Sequence, residues 1–356
     1  MKKSFRKIFI LFVFWRTGLS LLVMIAERLL VKRPDFFGPN SWSNFDGVHY
    51  LSIAEHGYFH YEQAFFPFYP LLIRWLTFFT RNYVFSGLFI SHLAFFASLV
   101  LLYLLVKLDF SEKTAWRSIF YLLIFPTSFY FASVYTESLF LALVLGSFYA
   151  ARKKRWWLAG ILGGLASATR LTGIFLLPAL FYERQEAKRK SFAALLLIPL
   201  GLLAYMWYLK QTAEDPFYFI HVQPFFGAER SGGKIVLLYQ VFWRYLKMLV
   251  TVQKWTLTYF VVVLEALIAS GFLAILILAY RQGLRHSYLI FAVLAYLIPT
   301  LTGTFSSLPR YVLACFPCFL YLALLKNKKI HFLLFTFCFL LLMVCVILFT
   351  RGYWVA

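Results

Sequence analysis

Acidic residues are scarce in this sequence. Only 14 of its 356 residues are Asp or Glu, against 35 Lys and Arg, and charged residues make up only 14% of the chain. Soluble domains carry about 25% charged residues. A chain with 62% hydrophobic residues therefore lacks the polar side chains to cover a water-facing surface. The surplus of positive charge does not indicate nucleic-acid binding, because the basic residues form short clusters between apolar runs.

Cysteine is also rare. The four cysteines all fall inside apolar runs, at Cys315, Cys318, Cys338 and Cys345. Cys315 and Cys318 form a C-x-x-C pair, but the second pair that a zinc site would need is missing. We expect small buried side chains here, with no disulfide framework and no zinc site.

Long apolar runs recur along the whole chain. A run of about 20 residues spans the hydrocarbon core of a bilayer, so the sequence predicts an all-α, polytopic membrane protein of about eleven transmembrane helices. We expect one membrane domain over residues 1–356, with an N-terminal module, 1–182, that carries the candidate site, and further helices in 183–356. The predicted spans are 8–30, 83–107, 116–134, 137–151, 156–169, 171–182, 191–210, 256–280, 287–302, 309–325 and 330–349.

The basic clusters predict the orientation. Eleven crossings place all six basic connections on one side, which the positive-inside rule assigns to the cytoplasm. These connections are 1–7, 107–117, 152–155, 183–190, 281–285 and 326–329. The N-terminus is then cytoplasmic, its first helix is predicted to be uncleaved, and segments 31–82 and 211–255 face outward from the cell membrane. Phe68–Phe79 would span only about 18 Å as a helix, so we predict an interfacial helix within the first outer loop, 31–82.

The first outer loop holds the leading candidate, Asp46. Helical spacing can place Asp46 on one face with His49 or Tyr50. A position at the start of a helix equally fits an N-terminal cap. Glu55 and His56 precede Gly57, which is typical of a helix end. They are secondary candidates, because adjacent residues point apart on a helix and make poor joint metal ligands.

Three ionisable residues farther along the chain are further candidates. Glu137, Arg170 and Arg310 interrupt or flank apolar runs on the predicted outer side, and ionisable residues at membrane depth are often functional. Guanidinium groups suit phosphate or carboxylate partners. The alternatives are structural: a helix-dipole carboxylate for Glu137, and for each arginine an ion pair with one of the acids on the predicted outer side. Gly160 and Gly164 indicate close helix packing.

Five segments, taken in order, resemble the PIG-V-like mannosyltransferases, a family that includes the second mannosyltransferase of GPI-anchor synthesis and many prokaryotic relatives. The likeness extends from about residue 10 to residue 325. One departure is Phe45, where a Trp before the aspartate is commoner. The matching segments are Phe45-Asp46-Gly47 with Ser52–Tyr58, Phe65–Pro70, Phe125–Ser128 with Tyr135–Ser138, Ala168–Gly173 and Leu308–Tyr311.

The resemblance implies a GT-C architecture and an outward-facing site. The donor would be a polyprenyl-phosphate sugar such as polyprenyl-phosphate mannose, and the acceptor a hydroxyl on a glycan, lipid or protein. No G-x-G-x-x-G after a strand is present to hold a nucleotide sugar, which agrees with a lipid-linked donor. No metal ligands are assigned, and the need for a divalent metal stays open.

The resemblance also suggests roles in an inverting transfer. Asp46 would act as the base, Arg310, alone or with Arg170, would hold the leaving phosphate, and Glu137 would position a substrate. The competing class is a multi-pass transporter or flippase of a lipid-linked or anionic substrate. Such proteins often contain internal repeats, and the sequence shows no second copy of the Asp46 or Glu137 segments.

Overall fold

Helices are the regular secondary structure of the described part of the chain. The computed structural model describes residues 2–33, 40–186, 192–227 and 230–356, and shows no strand among them. The end of the predicted basic connection 183–190 lies outside these ranges. The described α-helices are α1 Lys2–Leu29, α2 Asp46–His56, α3 Phe68–Thr80, α4 Tyr83–Val106, α5 Glu112–Ile124, α6 Glu137–Arg152, α7 Trp156–Thr169, α8 Leu176–Glu186, α9 Leu200–Ala213, α10 Tyr218–His221, α11 Leu238–Thr251, α12 Leu257–Arg281, α13 His286–Thr300, α14 Leu308–Tyr311, α15 Phe316–Leu324 and α16 Lys328–Thr350.

Among the described residues, five helical segments are long and apolar enough to cross a bilayer, as a multi-pass membrane protein requires. Two shorter apolar helices, α7 and α13, accompany them. The predicted total of about eleven crossings remains a prediction. The five long segments are Lys2–Leu29, Tyr83–Val106, Ala193–Ala213, Leu257–Arg281 and Lys328–Thr350.

Four predicted spans are interrupted within the described ranges. The spans 171–182 and 191–210 each begin with a 3₁₀ turn, Leu171–Phe175 and Ala193–Leu197, before an α-helix follows. The other two break farther along their length. The predicted helix 116–134 stops at Ile124, because Pro126 cannot continue a helix, and a 3₁₀ turn, Ser128–Ala132, follows. The predicted helix 309–325 consists of α14, a short 3₁₀ turn and α15, which starts beside Pro317. Both breaks bring backbone turns towards the site described below.

Two amphipathic helices present aromatic side chains to the surroundings. In α3, Tyr69 and Ile73 are buried, whereas Trp75 and Phe78 are about two-thirds exposed. The helix α11, which the sequence did not predict, buries Tyr245 and exposes Trp243. Exposed aromatic faces of this kind suit a membrane interface. That α3 lies flat in the interface nevertheless remains a prediction.

Close helix packing surrounds α7, as Gly160 and Gly164 predict. A Cβ atom on Gly160 would lie 1.9 Å from the carbonyl oxygen of Ala194, and one on Gly164 would lie 2.7 Å from that of Leu197. Only glycine permits the backbone of residues 193–201 to approach α7 so closely. Of the cysteines, Cys338 is half-buried and the other three are fully buried.

A network of ion pairs ties together four of the predicted cytoplasmic connections. Arg152 lies 2.6 Å from Asp109 and 3.4 Å from Glu183, and Arg285 lies 3.1 Å from Glu183. The hydroxyl of Tyr103, which also contacts Ser4 near the N-terminus, donates to Glu112 in the same region. These connections therefore share one end of the helix bundle, as the predicted topology requires.

Candidate functional site

The end of the helix bundle opposite the ion pairs of Arg152 and Arg285 contains a cavity of about 930 Å³, hereafter the central pocket. The segments predicted to face outward converge on it, although they are far apart in sequence. Trp354, near the C-terminus, also lines it. The pocket wall is formed by residues from 45–50, 64–66, 169–172, 217–226, 230–235 and 298–311.

Asp46 is the first residue of α2 and lines the central pocket. Phe45, not Asp46, occupies the N-cap position of α2, and Oδ2 of Asp46 accepts a hydrogen bond from Nη1 of Arg310 at 2.5 Å. The alternative cap function is therefore not what the structure shows. Burial alone would raise the pKa of Asp46, but the charge and hydrogen bond of Arg310, together with the nearby His49 and Arg230, hold that pKa below its ordinary value.

The backbone in front of Asp46 is strained. Phe45 has φ +56° and ψ −119°, a conformation that favours glycine. Its ring packs against Trp354 and Phe349, with centroid separations of 5.2 Å and 5.9 Å. Strain of this kind costs about 1–3 kcal/mol and concentrates at functional sites. The aromatic packing holds the turn that directs Asp46 towards Arg310.

Arg310 links Asp46 to a second buried acid, Glu137. Nε of Arg310 lies 3.2 Å from Oε1 of Glu137, and Nη1 of Arg170 donates to the same oxygen at 2.5 Å. Arg170 also lies over the ring of Tyr311, 4.8 Å from its centroid. The four side chains form a series of ion pairs in which negative and positive charges alternate. We name this series the Asp46–Arg170 network; its members, in order, are Asp46, Arg310, Glu137 and Arg170. Such mutual pairing lowers the cost of burying them.

His49 and Tyr50 line the pocket on the same helix as Asp46. Nδ1 of His49 lies 3.2 Å from Oε1 of Glu62, and its ring stacks on Phe65 at 5.0 Å. The hydroxyl of Tyr50 lies 3.4 Å from that of Thr136. The predicted grouping of these two side chains with Asp46 is therefore present.

Glu55 and His56 lie away from the site. Both are exposed at the end of α2, with Gly57 as the C-terminal cap, and neither lines the central pocket. Among the residues that the structure describes, no group of three or more His, Cys, Asp or Glu side chains could hold a metal ion.

Three residues of the site were missed by sequence reasoning. Glu62 orients His49 and also accepts from the backbone N–H of Phe59 at 3.0 Å. Arg230 and Lys234 reach the pocket from the segment between α10 and α11. The sequence did contain a sign of the two basic residues: they lie in a segment predicted to face outward, where the positive-inside rule expects few basic residues.

Comparison with known proteins gives the family. Residues 63–304 match the sequence model of glycosyltransferase family 87. This range covers more than half of the chain and includes Glu137, Arg170 and Arg230, but neither Asp46 nor Arg310.

Two curated proteins are similar over shorter stretches. GPI mannosyltransferase 2 of Schizosaccharomyces pombe is 34% identical over 145 residues, which are 38% of this chain and 30% of that protein. GPI alpha-1,6-mannosyltransferase 2 of Mus musculus is 29% identical over 167 residues, 43% of this chain and 34% of its own length. The chain thus matches about a third of the length of each of these relatives.

The match over residues 63–304 includes most of the segments that line the central pocket. The chain belongs to glycosyltransferase family 87.

Proposed function

We propose that this protein transfers a hexose, mannose in particular, from a polyprenyl-phosphate-linked donor to an acceptor hydroxyl. Transfer takes place with inversion, at a site on the outer face of the cell membrane. The printed names of the two relatives support mannose as the sugar. The observation that carries the proposal is the Asp46 carboxylate at the pocket wall, with Oδ2 held by Arg310.

The paired carboxylate suits the task of a base. With its pKa below the ordinary value, Asp46 is ionised at neutral pH and can accept the acceptor's proton as the hydroxyl attacks the anomeric carbon. The bond from that carbon to the phosphate oxygen breaks, and the lipid phosphate leaves with the electron pair. Arg310 fixes the direction of the carboxylate. General-base assistance of this kind typically contributes about 10²–10⁴ in rate.

The wall of the pocket fits a lipid-linked donor. Apolar side chains from α13 and from the segment before α11 lie beside basic ones, and the cavity of about 930 Å³ has room for a sugar and part of a lipid chain. A donor carried by a lipid needs no soluble nucleotide-binding domain.

The test is transfer from labelled polyprenyl-phosphate mannose by the purified protein in lipid nanodiscs. Asp46→Asn keeps the size of the side chain and a hydrogen-bond acceptor for Arg310 but removes the base. We expect the variant to insert and fold normally while transfer falls by roughly 10² or more.

Glu55→Gln is the matched control, because Glu55 is exposed and outside the pocket; its turnover should equal that of the wild type. Normal turnover in Asp46→Asn would refute the assignment of the base. Movement of the lipid from one leaflet to the other in vesicles, without sugar transfer, would instead show that the protein is a flippase.

A further inference from the structure

The two arginines predicted to hold the donor phosphate are already paired. Arg310 contacts both Asp46 and Glu137, and Arg170 contacts Glu137. Two positive and two negative charges cancel within the Asp46–Arg170 network. A negatively charged donor therefore needs a further source of positive charge in the pocket.

Arg230 supplies such a charge. Its guanidinium donates to the hydroxyl of Ser307 at 3.0 Å and approaches the amide oxygen of Gln223 at 3.5 Å, both neutral groups. Across the described ranges, no carboxylate lies within ion-pair distance of Arg230. The charge of Arg230 acts on Glu265 from beyond that distance, and the Glu265 carboxylate accepts a hydrogen bond from the hydroxyl of Tyr245 at 2.5 Å. A guanidinium has five N–H donors, so several remain for a ligand.

Lys234 stands beside Arg230 in the pocket wall and is exposed to it. The hydroxyl of Ser231 accepts from the backbone N–H of Lys234 at 2.6 Å, which closes a tight turn. Two backbone hydrogen bonds then fasten this turn to the end of α13: Ser231 N–H to Thr302, at 2.9 Å, and Val236 N–H to Leu301, at 3.0 Å. The basic pair thus sits on a loop that is held at both ends.

An apolar wall adjoins the two cations. Ile235, Ile298 and Leu301 line the same pocket, and Ile235 is 74% exposed. An exposed isoleucine next to a basic pair suits a ligand with both an apolar chain and an anionic head, since burying such a side chain is favourable. A soluble phosphate would use only the cations.

We propose that Arg230 and Lys234 bind the phosphate of a lipid monophosphate, with the lipid chain lying along Ile235, Ile298 and Leu301. This inference rests on the proposed function and names the residues that would hold its donor. Arg310 and Arg170 then serve to direct Asp46 and Glu137. On departure, the phosphate carries its negative charge to Arg230 and Lys234.

Binding of a fluorescent isoprenyl monophosphate, without a sugar, to the protein in nanodiscs tests the inference separately from transfer. A charge-assisted hydrogen bond is typically worth about 1.5–3 kcal/mol, so Arg230→Ala should weaken binding roughly tenfold to a hundredfold. Lys234→Ala, which removes an exposed cation, should weaken it by less. Arg230→Lys should recover part of the loss, because lysine keeps the charge without the fork.

Arg281→Ala and Lys247→Ala are the matched controls, since both side chains are exposed and outside the pocket; they should bind as the wild type does. Inorganic phosphate should compete only weakly, and the isoprenyl alcohol should bind equally weakly to wild type and Arg230→Ala. Wild-type binding with an unchanged Kd in both pocket variants would overturn this inference and leave the proposed function standing. Failure of the wild type to bind the monophosphate would overturn both, and strong competition by inorganic phosphate would assign the site to a soluble anion.

Discussion

Arg310 is placed to influence the protonation of Asp46, because it contacts the carboxylate directly. Its side chain is only 6% exposed and lies between two carboxylates. Burial would raise the pKa of Asp46; Arg310 makes the largest contribution against that effect, and His49 and Arg230 add to it. A base at this position therefore depends on the arginine for its ionised state.

Arg310→Ala should consequently move the acid limb of the pH–rate profile upward. Without the guanidinium, the largest effect that opposes burial is lost, so Asp46 stays protonated to higher pH and transfer requires a higher pH. A neighbouring arginine lowers a carboxylate pKa by about 1–3 units, so a displacement of that order is expected in kcat/KM against pH.

Arg310→Lys is the comparison, because it retains the positive charge and should keep the acid limb close to that of the wild type. Acid limbs that coincide in wild type and Arg310→Ala would show that Arg310 does not act through Asp46.

Among the helices, α7 depends on glycine at the points where the neighbouring backbone approaches it most closely. Gly160 faces the carbonyl oxygen of Ala194, where a Cβ atom would lie at 1.9 Å. That atom belongs to the backbone, so no side-chain rotation can relieve the overlap. In the helix α12, by contrast, a Cβ atom on Gly271 would meet nothing within 4 Å.

Gly160→Ala should therefore destabilise the protein by about 1–3 kcal/mol, the usual cost of overpacking. Gly271→Ala should leave stability unchanged or raise it slightly, since alanine favours helix over glycine by about 1 kcal/mol. Thermal unfolding of both variants in the same nanodiscs measures the difference. Equal melting temperatures would contradict the close approach at α7.

A second prediction concerns the orientation of the helix α3 in the membrane. Leu71, Trp75 and Phe78 form one exposed face along the helix. If α3 lies flat in the interface, spin labels at these positions should report the same depth. A crossing helix would separate Leu71 from Phe78 by about 10 Å at 1.5 Å per residue. Depth measurements by paramagnetic relaxation, with the native cysteines replaced, distinguish the two orientations.

For the whole molecule, much of the helical pattern could be predicted from the sequence. Apolar runs and basic connections located helices such as Tyr83–Val106 and Lys328–Thr350 within a few residues. A segment that crosses the lipid core must be apolar and must satisfy its own backbone hydrogen bonds, so a long apolar run predicts a helix. The interruption after Ile124 was predictable from Pro126 but was overlooked. The helix α11 was missed because its charged residues mask an apolar face.

The site was partly predictable for a different reason. Asp46, Glu137, Arg170 and Arg310 could be singled out as unusual residues at membrane depth, but their pairing could not. Arg310 is 264 positions from Asp46, and nothing local in the sequence indicates which acid an arginine will contact. Arg230 was hidden among other basic residues of a polar segment, and only the folded chain shows which of them face the pocket.

The last prediction concerns the two ends of the molecule. Four basic connections share the end opposite the central pocket, joined through Asp109, Arg152, Glu183 and Arg285. The positive-inside rule assigns that end to the cytoplasm.

Single cysteines at Lys153 and Lys328, introduced into a cysteine-free background, should therefore react with a membrane-impermeant maleimide only after the cytoplasmic side is opened. A cysteine at Trp255, which is fully exposed between α11 and α12, should react from outside in intact cells. Labelling at Lys153 from outside would invert the topology and place the pocket in the cytoplasm, where the proposed outer-face transfer could not occur. Reaction of Lys153 and Trp255 from the same side would instead contradict the odd number of crossings between them.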